Sequence, residues 1–171
     1  MADLRRYGAL PDGEIGVWLA FRRMCGTLLF SHGFACVFWY RVNRVIYLRG
    51  WHRCAKFMHT QRYYKFANDI SYLADIGPGL KICHVSDIVI GAHAILGSGC
   101  TIFNGVTIGS KRVVDSHIKP TVGSGVYIGT GAKVLGDIII GDNVTIGALT
   151  FCDQNIPTGS TAYGNPLVIK R

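Results

Sequence analysis

The 171-residue sequence predicts a mainly β protein, a parallel solenoid of six-residue repeats with an N-terminal α-helical segment, and three observations carry that prediction. An aliphatic residue recurs at every sixth position from Ile70 onward. Glycine follows it directly in many of the repeats. Basic and aromatic residues crowd into residues 1–68, ahead of the repeat.

The repeat runs through Ile70, Ile76, Ile82 and Ile88, shifts phase by two residues, and continues as Ile90, Leu96, Ile102 and Ile108. After a longer interruption it resumes as Val122, Ile128, Val134, Ile140 and Ile146. A period of six matches neither the 3.6 residues of a helical turn nor simple alternation along a strand. It fits a short strand plus a turn, forming one face of a triangular coil whose aliphatic side chain points inward and stacks on its counterpart one coil away. Three faces make a coil of about 18 residues, so residues 70–152 supply roughly four to five coils. The following glycines are expected at turns whose backbone is open to a residue without a side chain. A second small or apolar residue, as in Ala94, Cys100, Val106, Val126, Ala132, Val144 and Thr150, completes each face.

Two segments break the repeat, Cys83–Val89 and Ser110–Thr121. Insertions in a solenoid project from a face and leave its core alone. The second is polar and charged, and such loops on a rigid scaffold are where functional residues gather.

Residues 14–66 read as amphipathic helix, with a break at Gly50. Residues 1–68 hold 11 of the 18 Lys and Arg against 3 acidic residues, whereas residues 69–171 hold 7 of each. The net charge of +8 therefore belongs to the N-terminal segment. This segment is expected to cap the open end of the solenoid. Its Trp, Tyr, Phe and Arg residues also suit peripheral contact with the anionic inner face of the cytoplasmic membrane. Nucleic acid is not an expected partner, because no recognition motif accompanies the charge. Met24–Tyr40 is free of formal charge but is interrupted by Gly26, Thr27, Ser31, His32 and Gly33, and its 17 residues fall short of the roughly 20 that a spanning helix needs. The six cysteines are scattered without CxxC spacing, which argues against a zinc site or a disulfide framework and for a reducing cytosol. Met1–Asp12 lacks the apolar run of a signal peptide, so the expected location is cytoplasmic.

The stretch Asp69-Ile70-Ser71-Tyr72-Leu73-Ala74-Asp75-Ile76-Gly77-Pro78-Gly79-Leu80-Lys81-Ile82-Cys83-His84 resembles the entry segment of serine acetyltransferases. Members of that family read Asp-Ile-His-Pro-x-Ala-x-Ile-Gly-x-Gly, then apolar residues and Asp-His. The likeness continues through Asn104-Gly105-Val106-Thr107-Ile108-Gly109, Pro120-Thr121-Val122-Gly123, Ile128-Gly129-Thr130-Gly131-Ala132-Lys133-Val134-Leu135-Gly136 and Gly164-Asn165-Pro166, covering about residues 69–169. The resemblance implies a left-handed parallel β-helix over residues 69–171, with a C-terminal tail, following the helical segment of residues 1–68. It also implies acetyl-CoA as co-substrate, no metal, and a homotrimer that binds acetyl-CoA in the groove between subunits.

By position, His84 matches the family's catalytic base and Asp69 the carboxylate that orients the imidazole, as in a Ser-His-Asp triad. Gly109, Ser110, Gly129, Thr130 and Ala148 match the positions that line acetyl-CoA, and Lys133, Lys170 and Arg171 are candidates for its phosphates.

The departures concern the acceptor. Cys83 stands where serine enzymes carry an aspartate used on the amino acid, and Ile118-Lys119 stands where they carry Arg-His, with His117 displaced by two. Cys83, His117 and Lys119 are thus the candidate acceptor-binding residues. Losing a charged contact costs a site about 2–5 kcal/mol, so the expected acceptor is a hydroxyl of a saccharide or lipid-linked surface glycan, as in polysaccharide biosynthesis. Free L-serine is the alternative. Two further readings are a trimeric scaffold without activity and a gamma-type carbonic anhydrase. The latter needs three zinc-binding histidines, and the coil region offers His84, His93 and His117 without an HxxxxH pair.

Overall fold

The computed structural model describes residues 1–10, 16–112 and 119–170. Four helices come first, α1 (Ala2–Arg6), α2 (Val17–Phe30), α3 (His32–Leu48) and α4 (His52–Phe66). The helical stretch predicted as two pieces divides once more at Ser31, whose side chain accepts from the Phe34 N–H (3.3 Å) and starts α3. The uncharged run Met24–Tyr40 is therefore split between two helices; Ala35, Cys36, Val37 and Tyr40 are buried against the coils, and Phe34 against Leu4 and Leu10. No helix among the described residues is long and apolar enough to cross a membrane. Gly50, with φ +84°, makes the turn between α3 and α4.

The chain then winds into a three-sided left-handed parallel β-helix. One face stacks β1 (Asp69–Ile70), β4 (Val89–Ile90), β7 (Thr107–Gly109), β10 (Lys133–Leu135) and β13 (Phe151–Cys152). We call it face A. Face B stacks β2 (Asp75–Ile76), β5 (Ile95–Leu96), β8 (Thr121–Val122) and β11 (Ile139–Ile140). Face C stacks β3 (Lys81–Ile82), β6 (Thr101–Ile102), β9 (Tyr127–Ile128), β12 (Thr145–Ile146) and β14 (Thr161–Tyr163), and closes with β15 (Val168–Lys170) antiparallel to β14.

On face A, Asp69 pairs with Val89, Val89 with Thr107, Thr107 with Lys133, and Lys133 with Phe151, so successive coils measure 20, 18, 26 and 18 residues. Both long coils hold a predicted interruption, and the register is restored after each. Ile88 differs from the sequence reading: it lies two residues before Ile90 in a corner row with Val106, Ala132 and Thr150, while Ile90 occupies the strand position above Ile70. All four corner residues and the strand aliphatics are buried, so one column of side chains fills the solenoid. Many of the glycines after the aliphatics are needed for a different reason from the one expected. Gly77, Gly97 and Gly123 have no positive φ; a Cβ on Gly97 would lie 2.6 Å from the backbone of Gly123 in the next coil, and one on Gly77 would lie 2.7 Å from Gly97.

The first coil has no coil beneath it, and its backbone edge would be left unpaired. The N-terminal helices supply the partners. Tyr40 donates to the Ala74 carbonyl (2.8 Å), Arg41 to Ile76 and Gly77, Arg44 to Tyr72 (3.2 Å), Arg62 to Ile70, and Arg6 to Gly79 (3.2 Å). Asp3 accepts from the Gly79 and Leu80 N–H groups, and the Tyr7 hydroxyl serves both the N–H and the carbonyl of Ile82. Arginine, with five donors and no acceptor, suits an edge rich in carbonyls. Much of the basic character assigned to an outward face is thus spent inward, on the solenoid.

Candidate active site

Each coil turns from face C to face A through a corner, and these corners stack. In successive coils the column holds Cys83 and His84, then Phe103 and Asn104, then Gly129 and Thr130, then Ala148. His84 is exposed, and Cys83 beside it is half-buried. The His84 ring lies 6.1 Å from that of Phe103, which lies 5.2 Å from Tyr127, so three rings climb the solenoid beside the corner. Thr130 donates to Asn104 Oδ1 (3.3 Å), tying neighbouring corners together.

Asp69 opens β1 on the outer side of face A. Its carboxylate is paired with His59 of α4, with Nε2 3.1 Å from Oδ1. The His59 imidazole holds the Asp69 carboxyl below the ordinary carboxylate value, against the burial that pushes it up, and Arg62 adds a further downward pull. Among the described residues no hydrogen bond or ion pair joins Asp69 to His84 directly. Their chain neighbours are joined, because Asn68 donates to the Val85 carbonyl (3.0 Å) and the Asp87 N–H to Ala67 (2.8 Å). This lashes the start of β1 to the His84 corner.

The residues matched to acetyl-CoA separate into two groups. Gly129, Thr130 and Ala148 share the His84 column, where Gly129 leaves room for the coil above: a Cβ there would lie 2.7 Å from the Ala148 nitrogen. Gly109 and Ser110 lie at the other edge of face A, where the chain turns toward face B. Gly109 is itself buried, and a Cβ on it would meet no described atom within 4 Å. Lys119 belongs to this second edge, its Nζ 3.1 Å from where a Cβ on Gly91 would stand. Within one chain Lys119 and His84 are thus on opposite margins of face A. His117 and Arg171 lie outside the described residues. Lys133 is committed to the coil below, donating to the Gly105 carbonyl (2.7 Å) and to Thr107 Oγ1 (3.0 Å), and Lys170 sits over the Tyr163 ring at 5.6 Å. Among the described residues no group of three or more His, Cys, Asp or Glu could hold a metal ion.

Sequence reasoning missed His59 and Arg62. Their signal was weak: two polar residues three apart on a helix share a face, but nothing in the sequence aims that face at Asp69.

A triangular solenoid of six-residue repeats with an exposed imidazole at one corner is the build of a hexapeptide transferase, and the family described as bacterial transferase hexapeptide (six repeats) matches residues 119–152. The chain is 40% identical over 126 residues to the serine acetyltransferase of Helicobacter pylori, an alignment covering 67% of this chain and 74% of that one. It belongs to the serine acetyltransferase family. The fold superposes on a Neisseria gonorrhoeae serine acetyltransferase in complex with serine with TM-score 0.81 and 33% identity, covering 98% of this chain and 66% of that one. A serine acetyltransferase in complex with CoA gives TM-score 0.80 and 27% identity, covering 99% and 67%. The chain spans about half the length of other curated relatives, such as the Salmonella typhimurium serine acetyltransferase (51%).

Proposed function

We propose that the protein is an acetyl-CoA-dependent O-acetyltransferase with L-serine as its first acceptor. The observation that carries this reading is the family membership together with an exposed His84 at the corner that also bears Thr130 and Ala148. An alcohol is a poor nucleophile until a base removes its proton, and imidazole suits that task near neutral pH. Acetyl-CoA supplies an acetyl thioester. His84 takes the proton of the attacking hydroxyl and passes it to the departing sulfur, while Asp69 steadies the imidazole as it becomes charged. The small residues at Gly109, Thr130 and Ala148 fit a slender substrate lying along face A. These residues lie on both margins of that face, as a groove between two copies of the chain would require, and the proposed assembly is a homotrimer in the cytosol.

A second reading, transfer to a saccharide hydroxyl, is favoured by Cys83 and Lys119, which replace the charged contacts expected for serine, and by the Phe103 and Tyr127 rings beside His84, since sugars stack on aromatic faces. The exposed Trp18, Phe21 and Phe30 of α2, next to Arg22 and Arg23, would suit an acceptor carried on lipid. The deciding experiment incubates purified protein with acetyl-CoA and either L-serine or a panel of sugars and nucleotide sugars, reads products by mass spectrometry, and uses His84→Ala as blank. O-Acetylserine above the blank supports the first reading. An acetylated sugar with inert serine supports the second, and product formation by His84→Ala at the wild-type rate overturns the assigned base.

A further inference from the structure

We infer that Arg62 and His59 form a relay that fixes the Asp69 carboxylate, making His59 a positioning residue for the His84 base; the inference deepens the proposed acetyl transfer and rests on it. Arg62 Nη2 lies 3.2 Å from His59 Nδ1 and also donates to the Ile70 carbonyl. A guanidinium only donates. Nδ1 is therefore the lone-pair nitrogen, the ring proton resides on Nε2, and Nε2 donates to Asp69 Oδ1 at 3.1 Å. With both nitrogens engaged, His59 has none left to deprotonate an acceptor.

The ring has a further neighbour, and the backbone that carries it is held as well. Tyr72 meets it edge-on at 5.4 Å. Asn43 of α3 is fully buried, and with its amide nitrogen turned to the Ala55 carbonyl (3.0 Å) its oxygen accepts from the His59 backbone N–H (3.2 Å). The groups facing the imidazole are thus Asp69 and Tyr72 from the first coil and Arg62 from its own helix, while Asn43 of α3 holds the His59 backbone.

Arg62 is 4% exposed, lies 5.8 Å from the Tyr40 ring, and leaves Nε and Nη1 without partners among the described residues. Burying a cation with open donors is costly, and satisfying one carbonyl does not demand it. Orienting an imidazole does. Asp69 Oδ1 is held by His59, and Oδ2 has no hydrogen bond among the described residues. That oxygen is available to the His84 imidazole, whose corner is lashed to Asn68.

The test uses the full-length protein and compares His59→Leu, His59→Gln and His84→Ala with wild type, using acetyl-CoA and the acceptor found by the screen. Leucine removes both polar contacts, whereas glutamine can donate to Asp69 and accept from Arg62. The expected result is a fall in kcat of about tenfold for His59→Leu, with KM for both substrates little changed, and recovery of most of that loss by His59→Gln. Nitrogen-15 NMR of the wild-type imidazoles, assigned by the signal missing in His59→Gln, should show the Nε2–H tautomer at mildly alkaline pH. A His59→Leu kcat at or above wild type, a glutamine variant as poor as leucine, or an Nδ1–H tautomer overturns the relay. Should His84→Ala remain active, the assigned base falls, while the tautomer still decides whether the relay exists.

Discussion

His84 and Asp69 were both readable from the sequence as members of one register, yet the partner of Asp69 was not. The Asp69–His59 pair depends on how α4 crosses the first coil, and a periodicity of six carries no information about that crossing. The pair has a thermodynamic consequence. The Asp69 carboxyl is held below its usual 3.8, so its contribution to stability is complete above that value and is lost as the pH falls through the lower folded-state value. As the pH falls below about 4 the melting temperature of wild type should therefore drop more steeply than that of Asp69→Asn, which has no proton to gain. Parallel curves in thermal melts across that range would contradict the pair. Tyr40 offers a second case. Its buried hydroxyl donates to the Ala74 carbonyl, and Tyr40→Phe leaves that oxygen without a partner at a cost of about 1–3 kcal/mol, measurable by urea unfolding.

Strands and helices differed in how openly the sequence declared them. Every coil face was visible because an inward aliphatic must recur wherever the chain returns to the same side of the triangle, and the two interruptions were visible because they broke that rule. The helix boundary at Ser31 was less visible, since a single capping serine amid apolar residues interrupts no pattern. The purpose of the stacked glycines was misjudged. Gly97 is needed because the next coil passes too close for a methyl group, so Gly97→Ala should overpack the corner and cost about 1–3 kcal/mol. Gly109→Ala, where no described atom is near, should leave the fold's stability nearly unchanged. A calorimetric comparison of the two variants separates close approach from backbone conformation as the reason for glycine.

Across the whole molecule the charge asymmetry was legible but its destination was not, because an arginine that meets a carbonyl and one that meets solvent look alike in sequence. Six cysteines illustrate the same division between inside and outside. Burial pushes the Cys152 thiol up to about 12 and also raises Cys36 and Cys100, whereas Cys54 is exposed and Cys25 and Cys83 are half-buried. Native protein should therefore label quickly at Cys54 with a thiol reagent, more slowly at Cys25 and Cys83, and at Cys36, Cys100 and Cys152 only after unfolding. Peptide mapping by mass spectrometry checks the order; rapid native labelling of Cys152 would contradict the packed interior. The N-terminal helices have one more effect. A solenoid whose first turn lay bare would offer the last turn of another copy a ready template, and copies could add head to tail without limit. By occupying that rung with side chains of Arg6, Tyr7, Tyr40, Arg41, Arg44 and Arg62, the helices end the stack after one chain and keep a filament-forming architecture from growing filaments.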